Sequence, residues 1–373
     1  MNDKTRRRIL QTAGATGAIA LAGCIGGDDE ETGGGGGGGN GGTDASLENP
    51  EDLPEMEITF GHSGDTDITN HQHRAATTFK QHIEEATDGR FQVDVVPGGA
   101  LGSLVEMTEQ NIEGSIEVVG STAEGHLAPF YPNINVYAVP YAFRDPEVAN
   151  YVFDKEFGTT LFEDFRDQTG LRMLTWYDNG GFRSFGVTEE IRELDDMEGL
   201  RIRTMQIEAH QELVRQLGAS PEPIDWTELY EAIDQGVVDG QENSIPTVIS
   251  GNLHEVLDFI ILDRHVFTMN FIHCNDDWFA DLPTPYKRIV SEAGYLASQD
   301  ARMVNRLGRE RGVSVVEEED VEVFDPPQDV IDDFAEATQE PVIDIIEDEM
   351  DDPALIDEML DAIDRAEDEL GYT

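Results

Sequence analysis

Met56-Glu57-Ile58-Thr59-Phe60-Gly61-His62 alternates apolar and polar side chains, the period of a strand with one buried face. From His71 to Thr87 the period changes, and Ala75, Phe79 and Ile83 recur at helical spacing. Phe91-Gln92-Val93-Asp94-Val95-Val96 reads as a second strand, stopped by Pro97-Gly98-Gly99. Leu104 to Glu113 is a helix and Ile116 to Val119 a third strand. Such alternation predicts an α/β fold with a largely parallel sheet, whose ligands bind beyond the carboxyl ends of the strands.

Upstream of residue 55 the chain reads as an address. Thr5-Arg6-Arg7-Arg8-Ile9-Leu10-Gln11 resembles the twin-arginine (Tat) export signal. The apolar stretch Ala13 to Ala22 is shorter than the roughly 20 residues a spanning helix needs. Leu21-Ala22-Gly23-Cys24 looks like a lipobox, so Cys24 is the expected lipidation site, with a plain signal peptide as the alternative. Residues 1–23 are then a leader. Residues 24–54, with Gly33 to Gly39 in a run, are a flexible acidic tether. Cys274 is the only other cysteine, and lipidation of Cys24 leaves it as a small buried apolar residue.

The charge is lopsided: 24 Lys and Arg stand against 78 Asp and Glu, a net −54. That argues against nucleic-acid binding and against a polybasic membrane surface. Only Lys4, Lys80, Lys155 and Lys287 are lysines. Excess acid with scarce Lys suits concentrated salt, where the Debye length is about 3 Å at 1 M and like charges repel little. From Glu317 onward there are 24 acids and one base, Arg365. Ile356, Met359, Leu360, Ile363, Ala366 and Leu370 keep helical spacing there, which predicts an amphipathic helix with an acidic outer face.

Enzyme signatures are missing: there is no GxSxG, GxxxxGK[ST] or HExxH, and Gly-rich turns such as Pro97-Gly98-Gly99 lack the GxGxxG order. His62, His71 and His73 do not make a metal site, because His-x-His at a helix start points its side chains to different faces. No cofactor is expected. The scarce arginines say more. In Leu200-Arg201-Ile202-Arg203-Thr204 both arginines fall on one strand face. A buried guanidinium needs an anion, either a ligand or an internal carboxylate, and spacing does not choose between them.

Five blocks carry a resemblance: Pro97 to Ser103, Val139-Pro140-Tyr141-Ala142-Phe143, Asp195 to Arg203, Leu217 to Pro221, and Glu228 to Asn243. In order and spacing they resemble the solute-binding protein of a TRAP (tripartite ATP-independent periplasmic) transporter, DctP-like and of haloarchaeal type. The resemblance implies a two-domain, periplasmic-binding-protein-like fold of class II type. It has a hinge, an interdomain ligand cleft and long C-terminal helices. Domain I would hold residues 55–179 and 269–308, and domain II residues 180–268 and 309–373.

It also implies a carboxylate anchor at Arg203, a second contact at Arg183 and a third at Asn243. Trp226 and His265 fall where the family lines its pocket, although Trp226 could equally be core and His265 a structural histidine. The turns at Gly64-Asp65 and Ser121-Thr122 face the cleft, so Asp65, Ser121 and Thr122 join the candidates. Where the family has a proline after the arginine strand, this chain has Met205-Gln206. The implied function is capture of a small organic acid, outside the cell membrane and on a lipid anchor, for delivery to TRAP permease subunits. The rivals are a binding subunit of an ABC importer or sensor, a secreted hydrolase, and a structural surface protein.

Overall fold

The computed structural model describes residues 53–372. The expected leader, Cys24 and the glycine run lie outside the described residues. The first unit is built as the alternation requires: β1 (Met56–Gly61), α1 (His71–Ala86), β2 (Phe91–Val96), α2 (Leu104–Ile112), β3 (Val118–Thr122). Asn70 caps α1 by accepting from the backbone of Gln72 and His73, and Ser103 with Glu106 forms a capping box on α2. Next come α3 (Glu124–Leu127), α4 (Pro146–Phe153), α5 (Glu156–Thr169) and the 17-residue strand β4 (Leu171–Val187). Then follow β5 (Arg201–Thr204), α6 (Glu208–Gln216), β6 (Ser220–Pro223), α7 (Leu229–Asp234), β7 (Gly240–Asn243) and α8 (Ile245–Ser250). The chain ends with β8 (Phe259–Asn275), α9 (Asp276–Asp281), α10 (Thr284–Glu318), β9 (Glu322–Phe324), α11 (Gln328–Glu349) and α12 (Ala354–Leu370).

The sheet runs β2-β1-β3-β8-β4-β7-β5-β6, with β9 on β8. Its outer pairings β1–β2, β1–β3, β5–β6, β5–β7 and β8–β9 are parallel, as expected. Its spine is not: β4 and β8, the longest pair, are antiparallel, as are β3–β8 and β4–β7. The sheet is therefore mixed. Alternation at the N-terminus could not reveal this, because β4 and β8 pair across some ninety residues of sequence.

The two long strands join two lobes. One half of the pair carries β1–β3 and the other carries β5–β7 and β9. Their register breaks where the lobes meet: Asp178 faces Met269 and Gly181 faces Thr268, leaving Asn179 and Gly180 without partners in the ladder. Gly180 and Gly181 have φ of 81° and 98°. A Cβ on Gly180 would meet the Ser244 hydroxyl at 2.1 Å, so the position requires glycine.

Phe60, Phe79, Phe91 and Tyr286 fill the first lobe, and Leu229, Ile233, Val248 and Val316 part of the second. A larger cluster around Phe153, Trp176 and Phe267 extends under the C-terminal helices. Cys274 is a buried free thiol in the first core. In α12, Ile356, Met359, Leu360, Ile363 and Ala366 are buried as the spacing predicts, while Leu370 is exposed. α11 packs on α6, and α12 reaches α4 and α5. No helix among the described residues is long and apolar enough to cross a membrane.

Candidate functional site

β5 presents its two arginines to different surroundings. Arg201 lies at the rim, held by Asp239 through Nε at 3.0 Å, and is 43 % exposed. Arg203 is 3 % exposed. Its Nε donates to the Ile224 carbonyl at 2.8 Å, and its two terminal nitrogens have no hydrogen-bond partner among the described residues. Burial pulls the guanidinium down to about 10, with Glu242 and Asp225 pushing it up and Arg183 pushing it down.

Those terminal nitrogens open on two adjoining cavities between the lobes. The inner one, about 30 Å³, is lined by both arginines and by uncharged polar groups, including Ser63, Ser121, Asn179, Asn243 and Asn270. It has room for about one water molecule. The outer one, about 470 Å³, is walled by Trp226, His126, Met205 and Gln206, and by three carboxylates: Glu106, Asp225 and Glu228. His126 is held neutral, because burial pulls it down to about 4.

Arg183 is differently placed. It lines the inner cavity, but its Nε and Nη2 are committed to Glu242 of β7, with Nη2 2.9 Å from Oε1. Both side chains are 1 % exposed. Around the pair is a closed set of charges. His210 of α6 lies 3.3 Å from Glu242 and, at a longer ion-pair distance of 3.5 Å, from Glu124. His265 of β8 lies 3.3 Å from Glu242 and 2.7 Å from Asp263, which also accepts from the Tyr141 hydroxyl. Burial alone would lower His265, but Asp263 and Glu242 outweigh it and hold the imidazole up at about 9. His210 is raised in the same way, by Glu242 and Glu124 against burial. Burial would raise Glu242, yet Arg183 and the two histidines hold it well below the usual range. Arg183, His210 and His265 thus stand among three carboxylates, Glu124, Glu242 and Asp263. Arg203 stands outside this set, without an ion pair among the described residues.

Of the residues singled out from sequence, the structure brings Arg203, Arg183, Asn243, Trp226 and Ser121 to the cavities. His265 is wholly buried behind the Arg183–Glu242 pair, away from both cavities. Thr122 donates to the Phe271 carbonyl at 3.3 Å inside the wall. Asp65 lies in an exposed turn, accepting from the Asp67 amide. Among the described residues no three His, Cys, Asp or Glu side chains are grouped to hold a metal; His62 and His73 simply contact each other at 3.2 Å.

Sequence reasoning missed Glu242, Asn179 and Asn270. Asn270 donates to Asn179 Oδ1 at 2.8 Å, and its own Oδ1 is buried without a partner. For Asn270 the available signal was an amide inside an otherwise apolar strand segment, a placement that demands a partner.

A profile of the bacterial extracellular solute-binding proteins, family 7 (DctP), matches residues 60–348. A solute-binding protein of Verminephrobacter eiseniae is 31 % identical over 234 residues, 63 % of this chain and 68 % of its own length. A crystal structure of a sugar acid binding protein from Advenella mimigardefordensis, in complex with galactonate, superposes with a TM-score of 0.79 at 26 % identity. The match covers 84 % of this chain and all of that one. A TRAP periplasmic solute-binding protein from a Polaromonas species, bound to D-erythronate, superposes with a TM-score of 0.75 at 27 % identity, over 83 % and 98 % of the two chains.

Proposed function

The chain belongs to family 7 of the bacterial extracellular solute-binding proteins, DctP, and from that premise we propose that it is the extracytoplasmic receptor of a TRAP transporter for a small hydroxylated monocarboxylate. The observation that carries this reading is Arg203, a buried guanidinium with terminal nitrogens unpaired among the described residues and facing a cavity between two lobes. A planar fork of donors suits a carboxylate, which can accept two parallel hydrogen bonds. Arg183 is taken by Glu242, so among the described residues Arg203 is the one cation lining the inner cavity without an ion-pair partner, and it suits one carboxylate. The inner cavity's amides and hydroxyls, with Asn270 Oδ1 free to accept, suit ligand hydroxyls. The galactonate and D-erythronate bound by the two similar structures have this chemistry.

In the proposed cycle the open cleft admits the anion and Arg203 takes its carboxylate. Arg183, already fixed by Glu242, offers its remaining nitrogen, and Asn243 and Ser121 contribute polar contacts. Trp226 forms the wall above them. Closure turns the lobes 55–179 with 269–308 and 180–268 with 309–373 about the break at Asn179-Gly180. It expels water and strengthens the ion pair by lowering the local dielectric. The C-terminal segment of the second lobe packs α11 on α6 there but α12 on α4 and α5 of the first, so its last helix bridges the two lobes and must yield or follow as they turn. The closed form then docks on the permease and releases the ligand there.

The leader is proposed to be a Tat-type lipoprotein signal and Cys24 the anchor point, on the strength of the Arg6-Arg7-Arg8 and Leu21-Ala22-Gly23-Cys24 motifs. Adaptation to concentrated salt, of the haloarchaeal kind, is proposed from the charge of −54 and the four lysines. Calorimetric titration of D-galactonate and D-erythronate in molar KCl tests the function. Saturable binding at micromolar concentration or tighter is expected. Absence of binding by these and by a wider set of hydroxy acids would overturn it.

A further inference from the structure

Five of the eight exposed large apolar side chains among the described residues lie on one element, α10. The inner face of α10 packs on α1 and β4 through Ile289, Ala293, Ala297 and Ala301. Its outer face carries Tyr295 and Met303, 61 % and 57 % exposed, flanked by Leu296 and Leu307. The same helix holds six of the chain's 24 basic residues against five acids, so it is almost neutral in a molecule of charge −54. Elsewhere, self-repulsion opposes contact between two copies; here it does not.

The outer stripe is also self-complementary. Arg288, Glu292, Tyr295, Gln299, Met303, Arg306 and Glu310 follow each other at three- or four-residue spacing, and all are exposed. Counted from Gln299, the stripe mirrors itself with opposite charge: Arg288 falls opposite Glu310, Glu292 opposite Arg306, and Tyr295 opposite Met303. Within one chain, Arg288 and Arg306 make only loose contacts with Glu292 and Glu310, at 3.7 and 3.8 Å; Glu292 also lies 3.6 Å from His82. We propose that α10 pairs with α10 of a second copy of this chain, antiparallel about a two-fold axis through Gln299. In that register every base meets an acid and the apolar pairs meet each other along about 33 Å of helix. One helix pair is a small interface, so the dimer is weak and concentration-dependent.

Sedimentation equilibrium of the purified chain in molar KCl tests the pairing. A monomer–dimer equilibrium is expected, and Tyr295→Asp combined with Met303→Asp should leave monomer only. Arg306→Glu sets acid against acid twice by symmetry and should weaken the dimer by about tenfold; adding Glu292→Arg should restore it. All four positions are exposed, so melting temperatures should hardly move, which separates pairing from folding. A chain monomeric up to millimolar concentration overturns the proposal and leaves the stripe to a membrane partner. A dimer indifferent to these substitutions also overturns it, because the contact then lies elsewhere.

Discussion

Arg183 and Glu242 meet diagonally across the β4–β7 pair as a fully enclosed ion pair, Nη2 2.9 Å from Oε1, each side chain 1 % exposed. The arginine that the family resemblance offers to the ligand is thus already bound to an internal partner, and what remains free on it is a single nitrogen edge. Removing one partner strands the other. Glu242→Gln should lower unfolding stability by about 3–5 kcal/mol in chemical denaturation, measured in molar salt. The double change Arg183→Met with Glu242→Leu should cost less than the two single changes added together. A Glu242→Gln protein as stable as the wild type would show the pair to be unimportant.

The histidines give the same cluster a pH signature. His265 is held at about 9 in the folded chain, against about 6.5 when unfolded. A raised folded pKa contributes stability that is complete below about 6.5 and lost as pH rises through about 9. The denaturation midpoint should fall over that window, and His265→Gln should flatten the slope. Equal slopes in the two proteins would place the titration elsewhere.

Arg203 should behave in the opposite way, as a residue kept for binding at a cost to folding. Arg203→Ala should weaken carboxylate binding by about 2–5 kcal/mol in calorimetry. Arg203→Lys should also bind poorly, since a single ammonium cannot reproduce the paired donors. Meanwhile Arg203→Met should raise the unfolding midpoint of the empty protein, because a desolvated charge without a counter-ion is gone. Near-normal affinity in Arg203→Ala would remove the anchor assignment.

The outer cavity should select against a second acid. D-gluconate and D-glucarate have the same carbon skeleton and differ only in whether one end is oxidised. The glucarate terminus would approach Glu106, Asp225 and Glu228. It should bind at least about tenfold more weakly, by repulsion across a partly solvated cavity. Raising salt from dilute to molar should leave gluconate affinity unchanged or better while narrowing the gap, since only the exposed repulsion is screened. A steep loss of gluconate binding with salt would instead mean that surface attraction holds the ligand.

Sequence showed what depends on neighbours along the chain. β1, α1 and β2 appear almost to the residue, because each is an amphipathic segment with its own stop signal. Arg203 was singled out by the family resemblance; strand periodicity put it on one face with Arg201 but did not say which of the two would be buried. Glu242 was hidden by abundance: among 78 acids nothing local marks the one that closes a buried network. The antiparallel spine was hidden too, since the pairing of Trp176 with Phe271 has no signature in either strand alone. His265, expected in the pocket, was displaced by one layer. It sits two positions from Asp263 on a strand whose bulge, with Arg264 at φ 56°, turns it toward Glu242.

The enclosed cluster divides the molecule's electrostatics into two climates. Dissolved ions reach the acidic exterior and quench it, but they do not enter the space around Arg183, Glu242 and His265, none of which is more than 1 % exposed. Ionic strength therefore acts on the outside alone and pH, over the window of His265, chiefly on the inside. Two ordinary laboratory variables can then dissect the protein without a mutation: a property that follows salt belongs to its skin, and one that follows alkaline pH belongs to its heart.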